Sequence, residues 1–169
     1  HGYIVGDMNS NNIMIHSDGS ITILDVDSFD ITDEEGYAVY NVRADLLALS
    51  HVLRVFDDQD QEVGLVREKL FHFLPTFEVE LDGDLVAVIR KEFSFLHPRY
   101  RIDCEGWSVE GNLFGWDYQI YRDGELCGTI SKEVIALTDT YVIDFDDPQD
   151  ELMIVMLVLA IDAANCSEH

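Results

Sequence analysis

The densest run of chemistry-bearing side chains opens the chain: Gly6-Asp7-Met8-Asn9-Ser10-Asn11-Asn12-Ile13-Met14-Ile15, then Asp18-Gly19, then Ile21-x-Ile23-Leu24-Asp25-Val26-Asp27-Ser28-Phe29. It sets carboxylates at Asp7 and Asp25 and a carboxamide at Asn12. Other sets are sparser. The histidines, His1, His16, His51, His72, His97 and His169, show no i, i+4 or other metal-ligand spacing. His51, His72 and His97 recur at similar points between apolar stretches, which places them in loops. The acidic clusters Asp57-Asp58-Gln59-Asp60 and Asp144-Phe145-Asp146-Asp147 offer oxygen ligands to Ca²⁺. They lack the EF-hand pattern and read as solvated turns. Trp107 and Trp116 stand among Gly106, Gly111 and Gly115. Glycine in a strand permits close approach or a bulge, so the pair reads as structural, with an aromatic binding surface as the alternative. No Ser-His-Asp or Cys-His set is defined by spacing.

The opening run resembles the catalytic segment of protein-kinase-like folds, in the variant with Gly before the Asp. The resemblance implies Asp7 as the base that takes the substrate hydroxyl proton, and Asn12 and Asp25 as Mg²⁺ ligands, with ATP as the donor. The offset from Asp7 to Asn12 and the short hairpin between Asn12 and Asp25 fit it. No Gly-rich phosphate loop and no strand Lys with a helix Glu partner stand in this sequence. Phosphoryl transfer rests on positioning and metal-borne charge, so the segment is expected to be inert here. Residues 1–28 then form a kinase-like catalytic-segment fragment, left by fusion, decay or assembly, since the chain opens at His1 within the motif. The alternative is an extra N-terminal hairpin, with residues 13–15 and 21–24 as strands turned at Asp18-Gly19.

The elements that would position any site follow from an internal repeat. An aromatic or Leu, one spacer, then Val or Ile occurs at Phe29-x-Ile31, Leu53-x-Val55, Phe77-x-Val79, Tyr100-x-Ile102, Tyr118-x-Ile120 and Tyr141-x-Ile143. Turn residues follow most anchors: Glu35-Gly36, Asp57-Asp58, Asp82-Gly83 and Asp123-Gly124. A second apolar stretch comes next, at Val39-x-x-Val42, Val63-x-x-Val66, Val86-x-x-Ile89 and Cys127-x-x-Ile130. Each unit predicts a β-hairpin with one apolar and one acidic face. Asp-Gly supplies the positive φ that two-residue turns require. The period changes at Asp146-Asp147-Pro148, where a helix is expected to start. Residues 152–161 are apolar on every side, so that helix must be surrounded by protein. The run is half the length of a membrane span, which needs about 20 residues.

Hairpin repeats followed by a wholly apolar helix resemble the LURP-one-related family, which shares the tubby-like C-terminal barrel. The residues carrying the resemblance include Arg67-Glu68-Lys69-Leu70-Phe71, Leu74-Pro75-Thr76-Phe77-Glu78-Val79, Lys91-Glu92-Phe93, Gly106-Trp107-x-Val109-Glu110-Gly111, Asp117-Tyr118, Ile130-Ser131-Lys132 and Asp139-x-Tyr141. The expected fold is mainly β: a closed antiparallel barrel of about 10–12 strands over residues 29–169, with one central apolar C-terminal helix. The resemblance implies no enzymatic site. It implies phosphoinositide binding through a basic patch, as in relatives. Here Arg67, Lys69, Arg90, Lys91, Arg99, Arg101 and Lys132 are diluted by far more carboxylates.

That dilution is a property of the whole chain. Ten Lys and Arg face 34 Asp and Glu, a net charge of −24. A field of this sign repels nucleic acid and anionic membranes. Three cysteines, Cys104, Cys127 and Cys166, with no CxxC, point to a reducing, cytoplasmic setting. The expected protein is a monomeric, non-enzymatic binding or scaffold module for an unknown protein or lipid-like ligand, without cofactor. Mg²⁺ and ATP enter only under the alternative, a fragment of a kinase-like phosphotransferase fused to the barrel.

Overall fold

The computed structural model describes residues 2–5, 12–15, 21–24, 28–33, 35–45, 50–93, 99–112, 117–135 and 138–166. In chain order the elements are β1 (Gly2–Val5), β2 (Asn12–Ile15), β3 (Ile21–Leu24), β4 (Ser28–Asp33), β5 (Ala38–Ala44), β6 (Val52–Phe56) and β7 (Glu62–Glu68). There follow β8 (Thr76–Leu81), β9 (Asp84–Glu92), β10 (Arg99–Asp103), β11 (Trp107–Asn112), β12 (Asp117–Arg122), β13 (Glu125–Ile135), β14 (Thr138–Phe145) and α1 (Glu151–Cys166).

The alternation read from the sequence sets the faces. In β8, Phe77 and Val79 are fully buried, while Glu78 and Glu80 turn outward to Lys69 (2.6 Å) and Arg67 (3.6 Å). The Asp82-Gly83 turn has φ of 50° and 86°, and Asp123-Gly124 has 52° and 83°. These are the left-handed pairs that join tightly connected antiparallel strands.

Four hairpins carry an irregularity at the same place. In β4–β5, β6–β7, β8–β9 and β12–β13 the register slips just after Ile31, Val55, Val79 and Ile120. The extra residues on the return strands are Val39, Val63, Val86 and Cys127. A bulge sets two residues against one and locally resets the pleat. This accounts for the x-x spacing of the repeat. In a regular strand Val39 and Val42 would point to opposite faces; with the bulge, both serve the core. Val42, Val66, Ile89 and Ile130 are buried, and Val39, Val63 and Val86 lie against the same cluster.

Among the described residues, twelve strands join in one antiparallel sheet, ordered β10-β9-β8-β7-β6-β5-β4-β1-β14-β13-β12-β11, and β2 pairs with β3 in a separate ladder. The expected mainly β fold with one C-terminal helix is present, and closure of the sheet into a barrel is not shown by a ladder. Among the described residues, no ladder runs between β10 and β11, the two ends of the order. Yet these strands are consecutive, joined only by residues 104–106, so the two edges meet at one corner. The Gly106 carbonyl accepts from Asp123 N at 2.6 Å, which continues the β11–β12 ladder into the β12–β13 turn. A second difference lies at the N-terminus. Residues 2–5, assigned from the sequence to an appendage, supply β1, which pairs with both β14 and β4.

Helix α1 packs against the apolar face of this sheet, nearest to β7, β8, β9 and β14. Residues 154–161 are completely buried. Two glycines let it approach: a Cβ on Gly64 would lie 2.5 Å from Met156 Sδ, and one on Gly128 would lie 2.9 Å from Ile154 Cδ1. Both glycines occupy the position that directly follows a bulged residue. Among the described residues, no helix is long and apolar enough to cross a membrane.

Candidate functional site

Several sequence-derived candidates lie outside the described residues, and among the described ones none are brought together into a site. Of the kinase-like set, Asp7 and Asp25 lie outside the described residues, and Asn12 opens β2, opposite Leu24. Residues 12–15 and 21–24 form an antiparallel pair. His97 and Trp116 are likewise outside the described residues. His51 and His72 are exposed, and Trp107 is partly buried against the core.

The acidic clusters have local work. Asp57 Oδ1 accepts from the backbone N–H of Gln59 and Gln61, both at 2.9 Å, so its carboxylate closes a turn. Asp60 pairs with Arg43, whose guanidinium lies 4.0 Å over the Phe56 ring. Asp147 Oδ1 accepts from Gln149 N at 2.9 Å ahead of the helix. Among the described residues, no group of three or more His, Cys, Asp or Glu side chains is placed to hold a metal ion.

The start of α1 is the most connected polar point. Asp150 is 2% exposed, and its carboxylate accepts from Arg122. Its backbone carbonyl accepts from Ile154 N at 2.9 Å, the first helical bond. Burial raises the Asp150 pKa above the usual carboxylate value, and Arg122 opposes that shift. Beside it, Tyr40 donates from its hydroxyl to Glu151 Oε1 at 2.6 Å. This cluster anchors the helix to β5 and β12.

The described thiols are unsuited to nucleophilic chemistry. A pocket of about 270 Å³ over β13 and β14 brings Asp144 and Asp146 to Cys127. However, the Cys127 thiol donates to the Ile120 carbonyl at 3.3 Å, and burial, then the Asp150 charge, raises its pKa. Burial pushes Cys104 up to about 11. Neither is appreciably a thiolate at neutral pH, and the thiolate is the reactive form.

One feature was missed by reasoning from the sequence. The β7–β8 loop and the end of β9 together expose Leu70 (44%), Phe71 (103%), Phe73 (89%) and Phe93 (71%). Phe73 and Phe93 stack, with ring centroids 6.1 Å apart and planes inclined by 12°. The two segments are tied by Lys91 N donating to the Pro75 carbonyl at 3.0 Å. Phe71 holds φ of +66°, a left-handed conformation that bulky residues rarely take. The available signal was Leu70-Phe71-His72-Phe73, an apolar run in a segment flanked by strands rather than within one.

Comparison with known proteins gives three findings. The family model described as LURP-one-related matches residues 17–162. The uncharacterized protein YxjI of Bacillus subtilis (strain 168) is 22% identical over 136 residues, covering 80% of this chain and 84% of that protein. The X-ray structure of a protein from Arabidopsis thaliana superposes with a TM-score of 0.56 at 12% identity, covering 96% of this chain and 92% of that one. The last similarity concerns the fold alone.

Proposed function

The chain belongs to the LURP-one-related family, and from that premise we propose that it is a non-enzymatic binding or scaffold module whose recognition surface lies on the outside of the sheet and its loops. One observation carries this reading: the space a ligand would occupy inside the curved sheet is filled by the chain's own helix, with residues 154–161 at zero exposure. Close-packed interiors of this kind leave no room for a small molecule without unfolding. The reading takes the sheet as a tubby-like barrel rolled around α1, supported by the three-residue link that brings β10 to β11. It takes the protein as a cytoplasmic monomer, and its partner as a protein or a lipid-like surface.

Titration with a fluorescent fatty acid tests the central claim. No saturable one-to-one uptake is expected. Saturable uptake that persisted after Phe71→Ser and Phe73→Ser would place a ligand inside and overturn it.

A further inference from the structure

We propose that the aromatic tip formed by Leu70, Phe71, Phe73 and Phe93 is a wedge that inserts into the headgroup–acyl boundary of a zwitterionic bilayer. This gives the surface-binding reading a specific partner and rests on it. The argument starts from the rings. Phe71 exposes its whole side chain, and its left-handed backbone holds it there against the ordinary preference of a bulky residue. Phe73 and Phe93 come from different segments yet stack on each other, so the tip is a built surface rather than a loose loop. Phe and Leu side chains on a surface-bound segment bury about 5–10 Å into the headgroup–acyl boundary.

Charge selects the kind of membrane. The molecule is strongly acidic, yet six of its ten Lys and Arg residues, Arg67, Lys69, Arg90, Lys91, Arg99 and Arg101, stand on β7, β9 and β10 or just after β7. Four of them are matched by carboxylates: Arg67 with Glu80, Lys69 with Glu78, and Arg90 and Arg101 with Asp103. Counted together, β7, β8, β9, β10 and Lys69 set these six cations against seven carboxylates, Glu62, Glu68, Glu78, Glu80, Asp84, Glu92 and Asp103, so the strands behind the tip are close to neutral. They neither attract anionic lipid nor share the repulsion of the remaining surface, and they can approach a bilayer with no net charge. Area argues against a second copy as the occupant. At about 200 Å² per ring, the three exposed phenylalanines offer roughly 500 Å², whereas a stable interface buries about 800 Å² on each partner. Two copies at −24 each would also repel.

The test is flotation of the full chain with phosphatidylcholine vesicles. Saturable binding is expected, changing less than about twofold between 0.1 and 0.5 M salt, since no net charge drives it. Phe71→Ser with Phe73→Ser should weaken it by at least about tenfold, as removal of buried aromatic surface implies. Both side chains are exposed, so the variant should keep its melting temperature. Phe71→Trp should add fluorescence that brominated phosphatidylcholine quenches. Failure of the native chain to float, binding indifferent to the double variant, or absence of quenching would each overturn the proposal. So would binding only to phosphatidylserine vesicles that salt abolishes. A dimer in sedimentation equilibrium that the double variant dissolves would assign the tip to self-association instead. None of these outcomes would reopen the interior, which the fatty-acid titration addresses separately.

Discussion

Asp150 shows how one side chain can serve structure while resisting its own charge. It stands just before α1 and pairs with Arg122, but burial raises its pKa. A carboxylate raised in the folded state contributes most when protonated. Its contribution is full below the unfolded value, near 3.8, and is lost as pH rises through the higher folded value. Asp150→Asn should therefore remove part of the fall in stability over that window, leaving a flatter curve of urea midpoint against pH. Asp150→Ala should cost about 1 kcal/mol more than Asn at neutral pH, because it also removes the oxygen acceptor for Arg122 that Asn retains. A steeper pH dependence in Asp150→Asn would contradict this account. The N-terminal Asp7, Asn12 and Asp25 invite a different measurement. If the segment is inert, 10 mM ATP with Mg²⁺ should leave the melting temperature unchanged. A site with a dissociation constant of about 100 μM would instead add about 2.7 kcal/mol. A shift abolished by Asp25→Ala would revive the kinase-like reading. At this scale the buried anchors were legible: Ile31, Val55, Phe77, Val79, Ile120 and Ile143 are all fully buried. The exposed phenylalanines were not, because residue type alone cannot distinguish an inward ring from one turned out by a left-handed backbone.

At the scale of elements, the repeat revealed the hairpins but not the bulges. Val39-x-x-Val42 looks like faulty alternation until two residues are set against one, and its fourfold recurrence marks it as a rule of the fold. The place of β1 was illegible for another reason. Nothing local in Gly2–Val5 specifies that Tyr3 will lie opposite Ile143. The glycines after the bulges give a ranked prediction. Gly64→Ala would meet the end of Met156, a flexible side chain that can shift, so a loss of about 1 kcal/mol is expected. Gly128→Ala would meet Ile154 and, at 3.2 Å, the Asp144 carbonyl, which the β13–β14 ladder holds in place. Its cost should be larger, about 2–3 kcal/mol. Chemical denaturation of the two variants checks the order, and a more harmful Gly64→Ala would refute the proposed helix–sheet fit.

For the whole molecule, everything depends on the last element. Leu157 is fully buried at the middle of α1, and Leu157→Ala should cost about 2–5 kcal/mol of a total that is typically 5–15. A chain ending at Asp147 should be molten or insoluble, with the near-ultraviolet circular dichroism of Trp107 lost. A native spectrum from it would show that the sheet stands without its helix. The same dependence has a consequence in time. Every described strand is made before α1, so on the ribosome the described sheet has no core until that helix emerges, on the order of eight to thirty seconds after β1 at typical elongation rates. Throughout that interval a valine- and isoleucine-rich face stands open, the sort of surface on which nascent chains stick to one another. The outward carboxylates, among them Glu78 and Glu80, alternate with that face along the strands. Their mutual repulsion would then matter most before folding, keeping neighbouring nascent chains apart until the helix arrives.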